Sequence, residues 1–264
     1  MSLHAEVTGS SRAPAVVFLH GVGTSGWMWW RQVPAFADHC CLNVDLPGHG
    51  RSRDVPWVSL TDTAGQVAAL VRSRTLTGHA HIVGLSLGGQ VALALLDCQP
   101  DVVDRAVISG VTAEPWPHRW FVTPQAWLTT TLLRSRRLVD AQARSLGLPS
   151  EVQGVFAENV RAMRPRAYRR IFEEVAAYTL PRSLGAVGTP TLVLAGSTES
   201  DMIQHAVETI AATMPEATGR IVLGVGHGWN VEAPDLFNAT VRAWVEGAPL
   251  PPGLKTAGHP RDRR

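Results

Sequence analysis

An apolar run, His81–Ile82–Val83–Gly84–Leu85, ends abruptly at Ser86, which stands between Gly84 and Gly88. From Leu87 to Leu96 apolar residues continue at helical spacing. This is Gly-x-Ser-x-Gly between a strand and a helix. The turn is so sharp that Ser86 must take a strained backbone conformation, and a side chain at 84 or 88 would collide with neighbouring backbone. Its product is a hydroxyl held above a sheet at a helix N-terminus, where free N–H groups favour negative charge. Ser86 is therefore the candidate nucleophile.

The rest of the chain supplies the sheet that such a turn needs. Short apolar runs alternate with longer helical patterns, which predicts a mostly parallel sheet covered by helices. Expected strands are Leu3–Val7, Ala15–Leu19, Cys41–Asp45, Ala80–Leu85, Arg105–Ser109, Thr191–Ala195 and Arg220–Leu223. Expected helices are Trp30–Ala37, Leu60–Arg74, Leu87–Leu96, Met202–Thr213 and Pro234–Val245. Pro234 falls in a first turn, where a missing N–H is harmless. With 264 residues, 45% of them hydrophobic, a sizeable core is available.

The alternation breaks once, between Ser109 and Thr191. Helical patterns there cover Pro124–Ser145, Ser150–Met163 and Pro165–Tyr178. An insertion at the carboxyl end of a strand overlies the edge where open α/β sheets bind ligands. It reads as a helical cap over residues 113–183, on a core of residues 1–112 and 184–247. Its many arginines, Arg161, Arg164, Arg166, Arg169 and Arg170 among them, read as a solvated helix face. From residue 248 to 264 the chain is rich in proline and charge, and disorder is expected.

A serine hydroxyl is a weak nucleophile until a base takes its proton. His227, in the glycine-rich loop Val225–Gly226–His227–Gly228–Trp229 after the last expected core strand, is the candidate base. A tetrahedral intermediate needs N–H donors aimed at its oxygen. The backbone of Leu87, just after the nucleophile, is one candidate. The backbone of Val22, in the loop His20–Gly21–Val22–Gly23, is the other. His20 reads as an anchor of that loop, and Asp45, in Asp45–Leu46–Pro47–Gly48–His49–Gly50, as the tie of a tight turn. The acid that orients the histidine has three candidates: Glu199 and Asp201, both just past the strand Thr191–Ala195, and Glu114 after the strand Arg105–Ser109.

With these four signatures in this order, the chain resembles the α/β-hydrolase fold superfamily from about Leu3 to Val245. The resemblance implies Ser86 as nucleophile, His227 as general base, and Val22 and Leu87 as oxyanion donors. It also implies an acid three residues after a glycine that ends the penultimate strand, which from Gly196 gives Glu199, where many relatives carry aspartate. Compared with relatives the N-terminus is short, with one strand where a hairpin is common.

The expected function is a serine hydrolase of the carboxylesterase or lactonase type. It acts on a small apolar ester or lactone and needs no cofactor and no metal. A small-molecule receptor of the same fold with little turnover, a carbon–carbon bond hydrolase and a perhydrolase are the alternatives. Trp27, Trp116, Trp120, Trp127 and Trp229 are the expected apolar walls of the pocket. The net charge of +2 points away from a nucleic-acid partner. Cys40, Cys41 and Cys98 form no disulfide or zinc pattern, which with the lack of a signal peptide or spanning run suits the cytoplasm.

Overall fold

A computed structural model describes residues 2–117, 136–145 and 148–257. Eight strands form one sheet: β1 (Ala5–Thr8), β2 (Ala15–Leu19), β3 (Cys40–Val44), β4 (Ala80–Leu85), β5 (Val103–Ser109), β6 (Thr191–Gly196), β7 (Ala217–Val222) and β8 (Leu254–Thr256). They lie in the order β1-β3-β2-β4-β5-β6-β7-β8. The six inner strands are parallel, and β1 and β8 run antiparallel at the two edges.

The described helices are α1 (Leu60–Arg74), α2 (Leu87–Cys98), α3 (Arg136–Ser145), α4 (Ser150–Ala162), α5 (Pro165–Ala177), α6 (Asp201–Thr213), α7 (Trp229–Glu232) and α8 (Pro234–Glu246). Side chains alternate across a strand, and the central strands β2, β4, β5 and β6 bury apolar side chains on both faces. Val17, Leu19, Ile82, Ile108 and Val193 pack into one core with α1, α2 and α6. Val16, Phe18, Val83, Val107 and Leu194 pack into a second core with Trp29, Phe36, Trp229 and α8. Burying such side chains stabilises by about 1.5–3 kcal/mol each, so the two cores hold the strand ends rigidly in register.

Two expectations are corrected. Residues Trp30–Ala37 do not form a continuous helix; short 3-10 turns cover Gly26–Trp29 and Val33–Phe36. Pro34 explains this, because within an α-helix its ring would clash with the carbonyl four residues earlier and its missing N–H would break the ladder. The expected disorder from residue 248 does not hold for Leu254–Thr256. That segment pairs with Arg220–Val222, and the Leu223 N–H donates to the Gly253 carbonyl. Composition argues against packing in isolation, but the open edge of β7 offers unpaired backbone groups, and a short strand bearing Lys255 closes it.

The elements that surround the site are tied together by side chains. Ser59 caps α1 by accepting from the Asp62 N–H at 3.0 Å. Glu174 of α5 accepts from the Leu60 N–H at 2.7 Å and from Trp57 Nε1 at 2.8 Å. One carboxylate thus joins a helix of the insertion to the first turn of a core helix. Arg161, Arg164, Arg166 and Arg170 are exposed, as a solvated face requires, and Arg164 pairs with Asp54 at 2.7 Å.

Candidate active site

Ser86 sits between β4 and α2 with φ 58° and ψ −117°. It is the one non-glycine residue with positive φ among the described residues, the kind of strain that collects at functional sites. The flanking glycines are sterically compelled. A Cβ on Gly84 would lie 2.4 Å from the Gly88 carbonyl oxygen, and one on Gly88 would lie 2.0 Å from that of Leu19. The Ser86 N–H donates to the Ser109 carbonyl at 2.8 Å, which pins the elbow to the end of β5.

His227 stands in the loop between β7 and α7. Its Nδ1 lies 2.6 Å from Glu199 Oε1, and Glu199 Oε2 accepts from the Gly196 N–H at 2.7 Å. An ionised carboxylate only accepts, so Nδ1 is the donor to Glu199, and in the neutral imidazole that tautomer puts the lone pair on Nε2. The Glu199 side chain is 2% exposed and that of His227 is 29% exposed. The carboxylate is thus buried behind the ring, and the ring opens outward. Thr198 donates through Oγ1 to the Val225 carbonyl at 2.9 Å. The Gly224 N–H donates to Ser197 Oγ at 2.8 Å. These bonds zip the acid-bearing loop to the histidine-bearing loop. Asp201 is an exposed residue in the first turn of α6 and Glu114 is exposed after β5; the carboxylate bonded to His227 is that of Glu199.

Ser86 and His227 line the same cavity of about 330 Å³, and no hydrogen bond joins them in this structure. Such bonds are often long in unliganded sites and tighten when substrate binds. Val22 also lines the cavity, and Leu87 is the first residue of α2. A first-turn N–H has no partner within its own helix.

The loop that carries Val22 is held by a buried network. His20 Nε2 accepts from the Leu46 N–H at 3.0 Å, and its Nδ1 lies 2.8 Å from the Gly21 carbonyl. Only the neutral Nδ1–H tautomer satisfies both contacts. Burial drives the His20 pKa down to about 4. His49 packs edge-on against it, with ring centroids 4.9 Å apart, and burial followed by the neighbouring His20 takes its pKa to about 3. Asp45 ties two turns at once, accepting from the Gly26 N–H and the Arg51 N–H at 2.7 Å each.

Of the expected pocket walls, Trp27 and Trp116 line the cavity. Trp120 and Trp127 lie outside the described residues. Trp229 is corrected: it is fully buried, its Nε1 donates to Ser109 Oγ at 2.8 Å, and its ring packs at a tilt against Phe237 with centroids 4.5 Å apart. The short helix α7 turns this ring into the second core, and its neighbours Asn230 and Val231 reach the cavity instead. Phe172 and Val175 of α5 form another wall. A Cβ on Gly23 would meet Val160 of α4 at 3.2 Å, so the insertion abuts the loop of Val22.

Sequence reasoning missed Gly110. Its φ is +67°, and a Cβ there would lie 2.8 Å from His227 Cε1, so only glycine lets the chain pass under the imidazole. A glycine directly after the apolar run of β5 was the available signal. Gln90 and Thr112, which also line the cavity, were missed because nothing in the sequence marks them as facing it.

A mostly parallel eight-stranded sheet, with a strained serine elbow at the end of a central strand and a His–Glu pair beside it, defines an α/β hydrolase. The chain belongs to the alpha/beta hydrolase family, whose profile matches residues 16–240. It is 27% identical over 249 residues to an AB hydrolase superfamily protein of Gibberella zeae, covering 91% of this chain and 83% of that one. It is 30% identical over 241 residues to the pimeloyl-(acyl-carrier protein) methyl ester esterase of Stenotrophomonas maltophilia, covering 85% and 89%. The crystal structure of the enol-lactonase from Burkholderia xenovorans LB400 superposes with a TM-score of 0.77 at 23% identity, over 92% of this chain and 96% of that one. Among the described residues no helix is long and apolar enough to cross a membrane.

Proposed function

We propose that this hydrolase cleaves a carboxylic ester or lactone through an acyl-enzyme. Ser86 is the nucleophile, His227 the general base and acid, Glu199 the orienting carboxylate, and the N–H groups of Val22 and Leu87 the oxyanion donors. The observation that carries the reading is the 2.6 Å contact of Glu199 with His227 Nδ1, which leaves Nε2 basic on the cavity that Ser86 lines.

In this mechanism Ser86 Oγ attacks the carbonyl carbon as its proton passes to His227 Nε2. Glu199 balances the imidazolium without taking a proton itself. The carbonyl oxygen becomes an oxyanion held by the two N–H groups. Collapse breaks the ester C–O bond, and the alcohol leaves with the proton from His227. Water then repeats the sequence on the acyl-serine and frees the acid. Residues 113–183 act as the cap that keeps water from the intermediate and shapes the pocket through Trp116, Phe172 and Val175. The apolar walls favour a small apolar substrate, and the methyl ester esterase among the relatives favours an oxygen ester. Three unpaired cysteines fit work in the reducing cytoplasm.

A fluorophosphonate probe tests the reading. It is expected to label Ser86 stoichiometrically, and Ser86→Ala is expected to abolish both labelling and turnover of small esters with the fold intact. Undiminished hydrolysis by folded Ser86→Ala protein would rule the mechanism out. A single slow turnover by the unaltered protein would assign it to the receptors of this fold.

A further inference from the structure

The cavity is not uniformly apolar, and its polar side chains are not equally occupied. Thr24 Oγ1 donates to the Gly21 carbonyl at 2.7 Å, and the Asn230 amide nitrogen is held by the Met28 carbonyl at 3.1 Å. Each is anchored in the wall by one short bond, although the Asn230 amide oxygen has no partner. Gln90 is held less firmly. It lies on α2 one turn after Ser86, is 2% exposed, and is flanked in the helix by buried apolar residues. The amide oxygen of Gln90 has no hydrogen-bond partner. Its nitrogen has only Thr112 Oγ1, at the outer limit of 3.5 Å. Thr112 is 6% exposed and lines the same cavity from the segment after β5.

A buried amide left unmatched is costly, and each such group in a folded protein calls for an explanation. A methionine or leucine would fill this helix position without that cost. We infer that Gln90 and Thr112 form a polar subsite that binds a hydroxyl or amide group on the substrate. The inference rests on the ester-hydrolase reading of the same cavity. Four helical residues span about 6 Å along the axis, and helical side chains lean toward the N-terminus, so the amide of Gln90 lies close beneath the reacting carbonyl. The group it binds is therefore carried a few bonds from the scissile carbonyl, as in a 3-hydroxyacyl or N-acylamino ester. A hydroxyl suits the pair best, since it donates to the Gln90 oxygen and accepts from the Thr112 hydroxyl or the Gln90 nitrogen. Discrimination follows the rule that a site built to bond a substrate hydroxyl strongly rejects the analogue that lacks it.

The test separates recognition from chemistry. Ser86→Ala protein is titrated with ethyl 3-hydroxybutyrate and with ethyl butyrate by calorimetry. The hydroxy ester is expected to bind at least about tenfold more tightly. Adding Gln90→Met, of similar volume, or separately the near-isosteric Thr112→Val, is expected to narrow the ratio to within about twofold. Gln90→Met is also expected to raise the melting temperature by removing an unmatched amide. Equal binding of the two esters, binding of neither, or a tenfold preference that survives both substitutions would overturn the subsite. If Gln90→Met fails to fold, Thr112→Val decides alone. A preference that behaves as expected, in a protein that hydrolyses neither ester with Ser86 intact, would overturn the hydrolase reading and leave the subsite standing.

Discussion

Acidification should destabilise this protein through the two buried histidines beneath the Val22 loop. His20 and His49 are 0% and 1% exposed, and their folded pKa values are depressed to about 4 and about 3. In the unfolded chain each ring titrates near the ordinary value of about 6.5. Between pH 6.5 and pH 5 the unfolded chain therefore takes up a proton at each ring while the folded protein does not. The unfolded state binds more protons, so stability falls as pH falls. At about 1.36 kcal/mol per pH unit, 1.5 units cost about 2 kcal/mol per ring and about 4 kcal/mol for the pair. That is a large share of a typical total of about 5–15 kcal/mol. The window does not depend on fine placement of the folded values, since both lie below pH 5. The loss continues until the pH approaches those values. Urea unfolding at pH 7 and pH 5 measures it. His49→Asn removes one titrating ring while its amide can still donate to the Pro47 carbonyl, which His49 Nδ1 now approaches at 3.0 Å. This variant should lose about 2 kcal/mol less than the unaltered protein over the same interval, whatever its absolute stability. Equal losses, within about 0.5 kcal/mol, would refute the account of His49 as a ring buried neutral.

Three other outcomes are expected. Glu199→Gln should lower turnover on the order of 10⁴-fold, as neutralising a comparable triad acid does, whereas Asp201→Asn and Glu114→Gln should stay near normal; steady-state kinetics on one ester compares all three. Gly88→Ala places a Cβ 2.0 Å from the Leu19 carbonyl oxygen; backbone must shift, so a stability loss at the upper end of about 1–3 kcal/mol should appear in denaturant unfolding together with lost probe labelling of Ser86. Glu174→Ala strands the Trp57 indole N–H and the Leu60 N–H, for which about 1–3 kcal/mol each is the expected range if they stay dry; hydrogen exchange should show faster opening at α5 and the first turn of α1, and unchanged protection there would dismiss the clasp.

The framework of the molecule was legible because its signals are local. Strand and helix periods need only neighbouring residues, and α1 begins and ends where its pattern does, at Leu60 and Arg74. The elbow was legible because its Gly-x-Ser-x-Gly pattern is itself local: glycine at 84 answers a clash with Gly88 four residues on, while glycine at 88 answers the approach of Leu19 on β2. The carboxylate was legible only through the family resemblance, whose spacing from Gly196 points to Glu199; the residues alone left three candidates. Glu199, Asp201 and Glu114 all follow strands that end on one side of the sheet, and sequence spacing alone does not say which reaches His227. That was decided by β6 and β7 lying side by side and by the Gly196 N–H turning Glu199 toward the ring. Trp229 shows the same division. Its place beside the histidine marked it as a cavity wall, but the one-residue difference between inward and outward faces of α7 put it in the core. The β8 edge strand and the unmatched amide of Gln90 complete the contrast. A segment too polar to fold by itself packs when a sheet edge waits for it, and a glutamine in an apolar helix becomes informative only when its surroundings are known. Composition and period are properties of nearby residues and survive in the linear chain. Partnership between residues far apart in sequence, such as the 28 residues separating Glu199 from His227, exists only once packing has chosen the neighbours.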